Sequence, residues 1–135
     1  LFNVMTGNRD DHLRNHAFIR EVDGWRPAPA FDLTPAPDKP SHVLALDEAD
    51  TTPRVETVLE THDYYRLGAE QALGIARGIA TVVATWPTVA RKAGISGTGQ
   101  ASMSPAFDAH TAWWSDGSGI WVPKSRRKSR LRRPG

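Results

Sequence analysis

The chain has 135 residues, 39% hydrophobic and 24% charged, which suits one globular domain with a real core and makes a second full-sized domain unexpected. Zero cysteines exclude disulfides, thiolate metal sites and cysteine nucleophiles, and fit a reducing, cytoplasmic location. Residues 124–135 hold seven of the 17 Lys and Arg, so residues 1–123 carry 10 basic and 15 acidic side chains, a balance of −5; the basic pI near 9.3 belongs to this tail and does not make the whole domain a nucleic-acid binder.

Leu1 to Thr6 reads as the last turn of a helix, with Phe2 and Met5 three apart and Gly7 placed for a left-handed cap. The start of that helix lies upstream, and no basic segment or long apolar run resembles a signal peptide, so the chain is expected to begin inside a longer protein. Asn8 to Asn15 is polar and reads as a loop. Ala17–Val22 and Trp25–Asp32 flank Asp23-Gly24, a pair suited to the positive φ angles of a tight hairpin turn. Prolines at 35, 37, 40 and 53 forbid a continuous helix or central strand, which predicts an ordered loop over residues 34–53.

Thr52 reads as an N-cap with Pro53 at the first helical position, and Val55, Val58 and Leu59 have helical spacing. A longer helix is predicted over Ala69–Trp86, where Ala72, Leu73, Ala76, Ile79, Ala80, Val83 and Trp86 form one apolar stripe for the core. The least polar stretch, Ala72 to Trp86, is interrupted by Arg77 and reads as too short and too polar for a hydrocarbon layer of about 30 Å, so no membrane partner is expected. Pro87 kinks this helix or starts another, which Gly94 closes. Residues 109–135 have neither helical nor strand periodicity and read as a disordered, tryptophan-containing, basic tail. Trp113, Trp114 and Trp121 leave base stacking open, and the tail's charge leaves weak, sequence-independent phosphate contact open.

Phosphoryl transfer by a protein kinase needs a carboxylate that orients the attacking hydroxyl and oxygen ligands that hold magnesium against the phosphates. In a kinase catalytic loop the base Asp precedes the metal-binding Asn by five positions, and Asp10 precedes Asn15 by five. A predicted hairpin follows and returns to Phe31-Asp32-Leu33, 17 positions after Asn15, where a second metal-binding carboxylate belongs.

Phe2-Asn3-Val4, Gly7-Asn8, Asp10-x-His12-x-x-Asn15 and Ala30-Phe31-Asp32-Leu33-Thr34-Pro35, with Met103-x-Pro105-Ala106-Phe107 further on, resemble the HipA-like serine/threonine kinases of bacterial toxin-antitoxin systems. The resemblance covers residues 1–108 and implies a mainly α, protein-kinase-like C-terminal lobe fragment with a short β-hairpin after the catalytic loop. It implies Asp10 as catalytic base, His12 as a residue shaping the catalytic loop, Asn15 and Asp32 as magnesium ligands, and Mg2+ and ATP as cofactors of the full-length parent. Similar kinases phosphorylate aminoacyl-tRNA synthetases and pair with a helix-turn-helix, DNA-binding antitoxin. No Gly-rich phosphate loop and no strand lysine followed by a helix glutamate occurs, so the ATP-gripping lobe is expected ahead of Leu1 and the isolated fragment is expected to be inactive.

Rival readings stand beside this one. Taken alone, Asp10-Asp11 is a solvated loop, Asn15 a turn former and Asp32 a cap before Pro35. His12 and His16 stand four apart and would ligate zinc on a helix, but the polar run after Gly7 argues for a loop. The alternative for the whole chain is a non-catalytic remnant or interaction domain whose basic tail touches nucleic acid.

Overall fold

Short helices pack around one long helix. The structure is a computed structural model that describes residues 1–115, 117 and 119–123. In chain order these form α1 (Phe2–Met5), β1 (Phe18–Glu21), β2 (Gly24–Pro27), α2 (Val55–Glu60), α3 (Ala69–Val83), α4 (Trp86–Lys92), α5 (Gly97–Met103) and α6 (Asp108–Trp113), with 3-10 turns at Leu13–Asn15, His62–Tyr65 and Ser104–Phe107. The class is mainly α with one antiparallel hairpin, as the resemblance implies.

The apolar spacing decides the core. Ala72, Leu73, Ala76, Ala80 and Val83 form the buried stripe of α3, against which Val4 and Met5 of α1 and Val55 and Leu59 of α2 pack. Ile79 and Trp86 flank it half-buried, and the Trp86 ring stacks on Phe107 with centroids 4.3 Å apart. Pro87 sits in the first turn of α4, where its missing N–H removes no helical bond, and Gly94 ends that helix at φ 81°. Residues 34–53 form no helix and no strand, only an isolated bridge between Asp47 and Asp50.

Four expectations need correction. The hairpin pairs Glu21 with Gly24, so its turn is Val22-Asp23 rather than Asp23-Gly24, and β2 stops at Pro27 instead of continuing to Asp32, with one more ladder bond beyond it from the Ala28 N–H to the Ala17 carbonyl at 2.8 Å. The helix expected from Pro53 starts at Val55 after Arg54. Asp50 organises its approach instead: its carboxylate accepts the Thr52 backbone N–H at 2.9 Å and the Thr57 hydroxyl at 3.2 Å, which holds its pKa below the usual carboxylate value.

Third, the stretch Ala69–Lys92 runs 24 residues and is long and apolar enough, by length and composition only, to cross a membrane, unlike the shorter span Ala72 to Trp86. A core helix passes the same test, and α3 turns its small apolar residues to α1 and α2.

Fourth, the expected tail packs on the core through described residues between 109 and 123. His110, Trp113 and Trp121 are buried: the His110 ring bonds the Ala80 carbonyl through Nε2 at 2.9 Å, and the Trp121 indole donates to Glu60 at 3.3 Å. These aromatics give the helical stripe a second wall, which leaves Trp113 and Trp121 no face for nucleic-acid bases. The charged residues 124–135, and the disorder and phosphate contact expected of them, lie outside the described residues.

Candidate functional site

Gly7 sets where the candidate loop leaves the core. It takes φ 64° after α1, and a Cβ at this position would stand 2.2 Å from the Ala106 carbonyl oxygen, so no side chain fits. The loop then runs against residues 36–43. Ala36 N–H donates to the Gly7 carbonyl at 2.9 Å, Val43 N–H to the Arg9 carbonyl at 3.1 Å, and the buried Arg9 guanidinium to the Lys39 carbonyl. His42 lies buried on this seam. Burial first, and the Arg9 charge second, push its pKa below the ordinary histidine value.

The four residues singled out by sequence form two pairs. His12 Nε2 stands 3.2 Å from Asp10 Oδ1, and the same oxygen accepts a hydrogen bond from the Lys39 ammonium. The Lys39 bond is the largest cause of a lowered Asp10 pKa, so an exposed Asp10 stays ionised at neutral pH. Both contacts use Oδ1, which leaves Oδ2 uncommitted among the described residues.

Across 17 residues of chain, Asn15 Nδ2 donates to Asp32 Oδ2 at 3.0 Å. Asp32 has φ 55°, a left-handed conformation that aspartate tolerates better than most side chains. Asn8, only 2% exposed, holds the adjoining backbone: its Nδ2 donates to the Asp32 carbonyl at 3.1 Å and to Asn3 Oδ1 at 3.3 Å. Asn3 in turn donates to Asp11 at 2.7 Å, and Asp11 stands 2.9 Å from His16 Nε2. A cavity of about 550 Å³ opens beside this network, with Asn3, Asp11, Asn15 and His16 among its polar lining and Phe18 and Phe31 among its apolar lining.

Sequence reading missed Lys39, Asp11, Asn8 and Asn3. Asn3 and Asn8 stood inside the resembling motif without a role, and their spacing of five gives neither a helical nor a strand period. Lys39 lies 29 residues from Asp10 in a proline-rich loop, and no local pattern reports such a contact.

Oxygen donors suit magnesium, which commonly takes one or two carboxylates and completes its shell with water and phosphate oxygens. Asn15 Oδ1 and Asp32 Oδ1 are hard donors not used in their mutual bond, so the pair fits such an ion. Among the described residues no three His, Asp or Glu side chains gather into a site that would hold a metal without further ligands. Zinc on a histidine pair is not supported by the geometry: a 3-10 turn lies between His12 and His16, and each faces its own aspartate.

The helical scaffold, the loop with its Asp-x-x-x-x-Asn spacing and the hairpin returning to Asp32 define a kinase-like C-terminal domain. Residues 1–86 match the HipA-like C-terminal domain family, and the chain belongs to it. That membership brings a protein-kinase and toxin-antitoxin context. No curated protein and no solved structure matches the chain.

Proposed function

We propose that the chain is the catalytic-loop-bearing part of a serine/threonine protein kinase of the HipA type, with Asp10 orienting the acceptor hydroxyl and Asn15 with Asp32 holding magnesium. The observation that carries this reading is the 3.0 Å contact of Asn15 and Asp32 across the hairpin.

Asp10 is a weak base, because Lys39 stabilises its charge. Its role is therefore to align a hydroxyl through Oδ2 and to accept the proton late, once bonding to phosphorus has made that hydroxyl acidic. His12 and Lys39 hold Oδ1 and so fix the direction of Oδ2. Asn15 and Asp32 would hold the metal through oxygen. When bound, magnesium–ATP supplies the phosphoryl group and neutralises its developing charge. An ATP-gripping lobe, an aminoacyl-tRNA synthetase as acceptor and a helix-turn-helix antitoxin as partner belong to this proposal through family context alone.

The test is phosphoryl transfer from labelled ATP to protein by this chain joined to the ATP-gripping segment that the resemblance places before it. Asp10→Asn and Asp32→Asn each lower the rate by about 10²-fold or more, and added magnesium partly rescues only Asp32→Asn. Undiminished transfer in both variants overturns the reading, whereas robust transfer by the 135 residues alone overturns the expectation that the isolated fragment is inactive.

A further inference from the structure

We propose that Asn8 is the positioning residue for Asp32: its buried side-chain amide clamps the Asp32 loop to α1 and thereby turns the Asp32 carboxylate toward Asn15. The inference deepens the magnesium reading of Asp32 and Asn15 and rests on it.

The argument begins with burial. An asparagine that is 2% exposed has lost its water, and an amide with no partner there would be strongly destabilising. Asparagine's Nδ2 carries two hydrogens, and here each has its own acceptor. One goes to the Asp32 carbonyl at 3.1 Å, 24 residues away, and the other to Asn3 Oδ1 at 3.3 Å on α1. The Asn8 backbone is tied as well, its N–H donating to the Asn3 carbonyl at 2.9 Å.

The far end of the clamp is the one place in the site where the backbone needs holding. Asp32 sits at φ 55°, and a non-glycine residue stays in that region when its surroundings over-determine it. Two bonds do so, one on each side of its Cα: Asn8 holds the carbonyl and Asn15 holds the carboxylate. Because Asp32 itself is exposed, packing does not orient it. The order Asp11, Asn3, Asn8, Asp32, Asn15 is then one chain of side-chain and carbonyl bonds from the cavity wall to the metal-ligand pair.

No other residue type of this size supplies the same two donors. Asn8→Asp keeps the shape and removes both hydrogens, while Asn8→Ala removes the group. The experiment is side-chain amide NMR of the whole chain, with hydrogen exchange and with Mn2+ as a paramagnetic probe. In the wild type the Asn8 Nδ2 protons exchange at least about tenfold slower than a free asparagine amide, and Mn2+ broadens Asn15 and Asp32. In Asn8→Asp and Asn8→Ala the Asn15 amide protons exchange faster, and about tenfold more Mn2+ is needed for the same broadening, while the β1–β2 signals stay in place. Rapid exchange of the wild-type Asn8 amide overturns the clamp without any variant. An unaltered Asn15 amide in a folded Asn8→Ala protein overturns it also. Mn2+ that broadens neither Asn15 nor Asp32 in the wild type overturns the magnesium reading instead, and the exchange of the two amides still decides the clamp.

Discussion

The buried helical stripe and the exposed hairpin are held by different physics. In α3 every buried residue is apolar, most of them alanine, and α1, α2, α6 and the 3-10 turn at Ser104–Phe107 share its core cluster. All four β1 residues are exposed, Phe18 at 63%, and the strand's regular partner is β2. An isolated hairpin is marginal in water, so it gains definition from the segments at its two ends. Those ends are the catalytic-loop sequence and the Asp32 loop. One wall of the site is therefore as stable as the core, whereas the other depends on a few hydrogen bonds, and the two should respond differently to substitution.

The sharpest break is Gly7→Ala. The added methyl meets backbone rather than a side chain that can swing away, and the left-handed φ adds strain. More than about 4 kcal/mol is expected, out of a margin of about 5–15 for a domain. Loss of the cooperative denaturant transition checks it; a folded variant within about 1 kcal/mol of wild type would show that α1 and the Ala106 segment can separate. Trp113→Ala comes next at about 3–5 kcal/mol, since a large buried ring leaves a cavity that the loop around Gly119 fills only in part. A shift under about 1 kcal/mol in urea unfolding would return residues 109–123 to the tail they resemble by composition.

That second case shows where sequence signals end. The helical stripe of α3 was legible from its period, and Pro87 and Gly94 marked α4 because each acts through its own backbone. The Asn15–Asp32 contact was legible through a motif that joins loop spacing to a hairpin return. Trp113 and Trp121 were not, because an aromatic in a Gly- and Ser-rich segment has no periodic neighbours, and only the tertiary groove beside α2 and α3 gives it a place. The turn was misplaced by one residue for a related reason: Asp-Gly favours positive φ, yet pairing of Glu21 with Gly24 put the glycine at the strand's first position. Lys39 and Asn8 reach partners 29 and 24 residues away, and polar contacts at that range have no local pattern.

A smaller effect lies on the seam between the candidate loop and residues 36–43. Burial and Arg9 lower the His42 pKa in the folded chain, Asp11 opposing, so the unfolded chain takes up this proton first as pH falls. Above the unfolded value of about 6.5 both states are neutral and the contribution is complete; below it stability is lost until the folded pKa is reached. Lowering the pH from 7.5 to 5 therefore lowers the urea midpoint, with a slope from this group of at most about 1.4 kcal/mol per pH unit. In His42→Asn that part of the slope disappears. An equal slope in both proteins would assign the effect elsewhere.

The smallest effect belongs to the hairpin, and it tests the comparison from the weaker side. Trp25 is 65% exposed, and Arg20 lies over its ring at 5.5 Å. Such an exposed cation–π contact is worth about 0.5–1 kcal/mol, and little apolar area is lost with it. Trp25→Ala should therefore change global stability by no more than about 1 kcal/mol. The hairpin itself has few other supports, so its amides, including the Ala28 N–H bonded to the Ala17 carbonyl at 2.8 Å, should exchange faster while those of α3 keep their protection. Loosening of that kind would also reach Asp32, whose loop continues from β2, so the Asn15 side-chain amide should respond in the same experiment. A loss above about 2 kcal/mol, shared by hairpin and core amides alike, would mean that β1 and β2 unfold together with α3 and that the site has one wall rather than two.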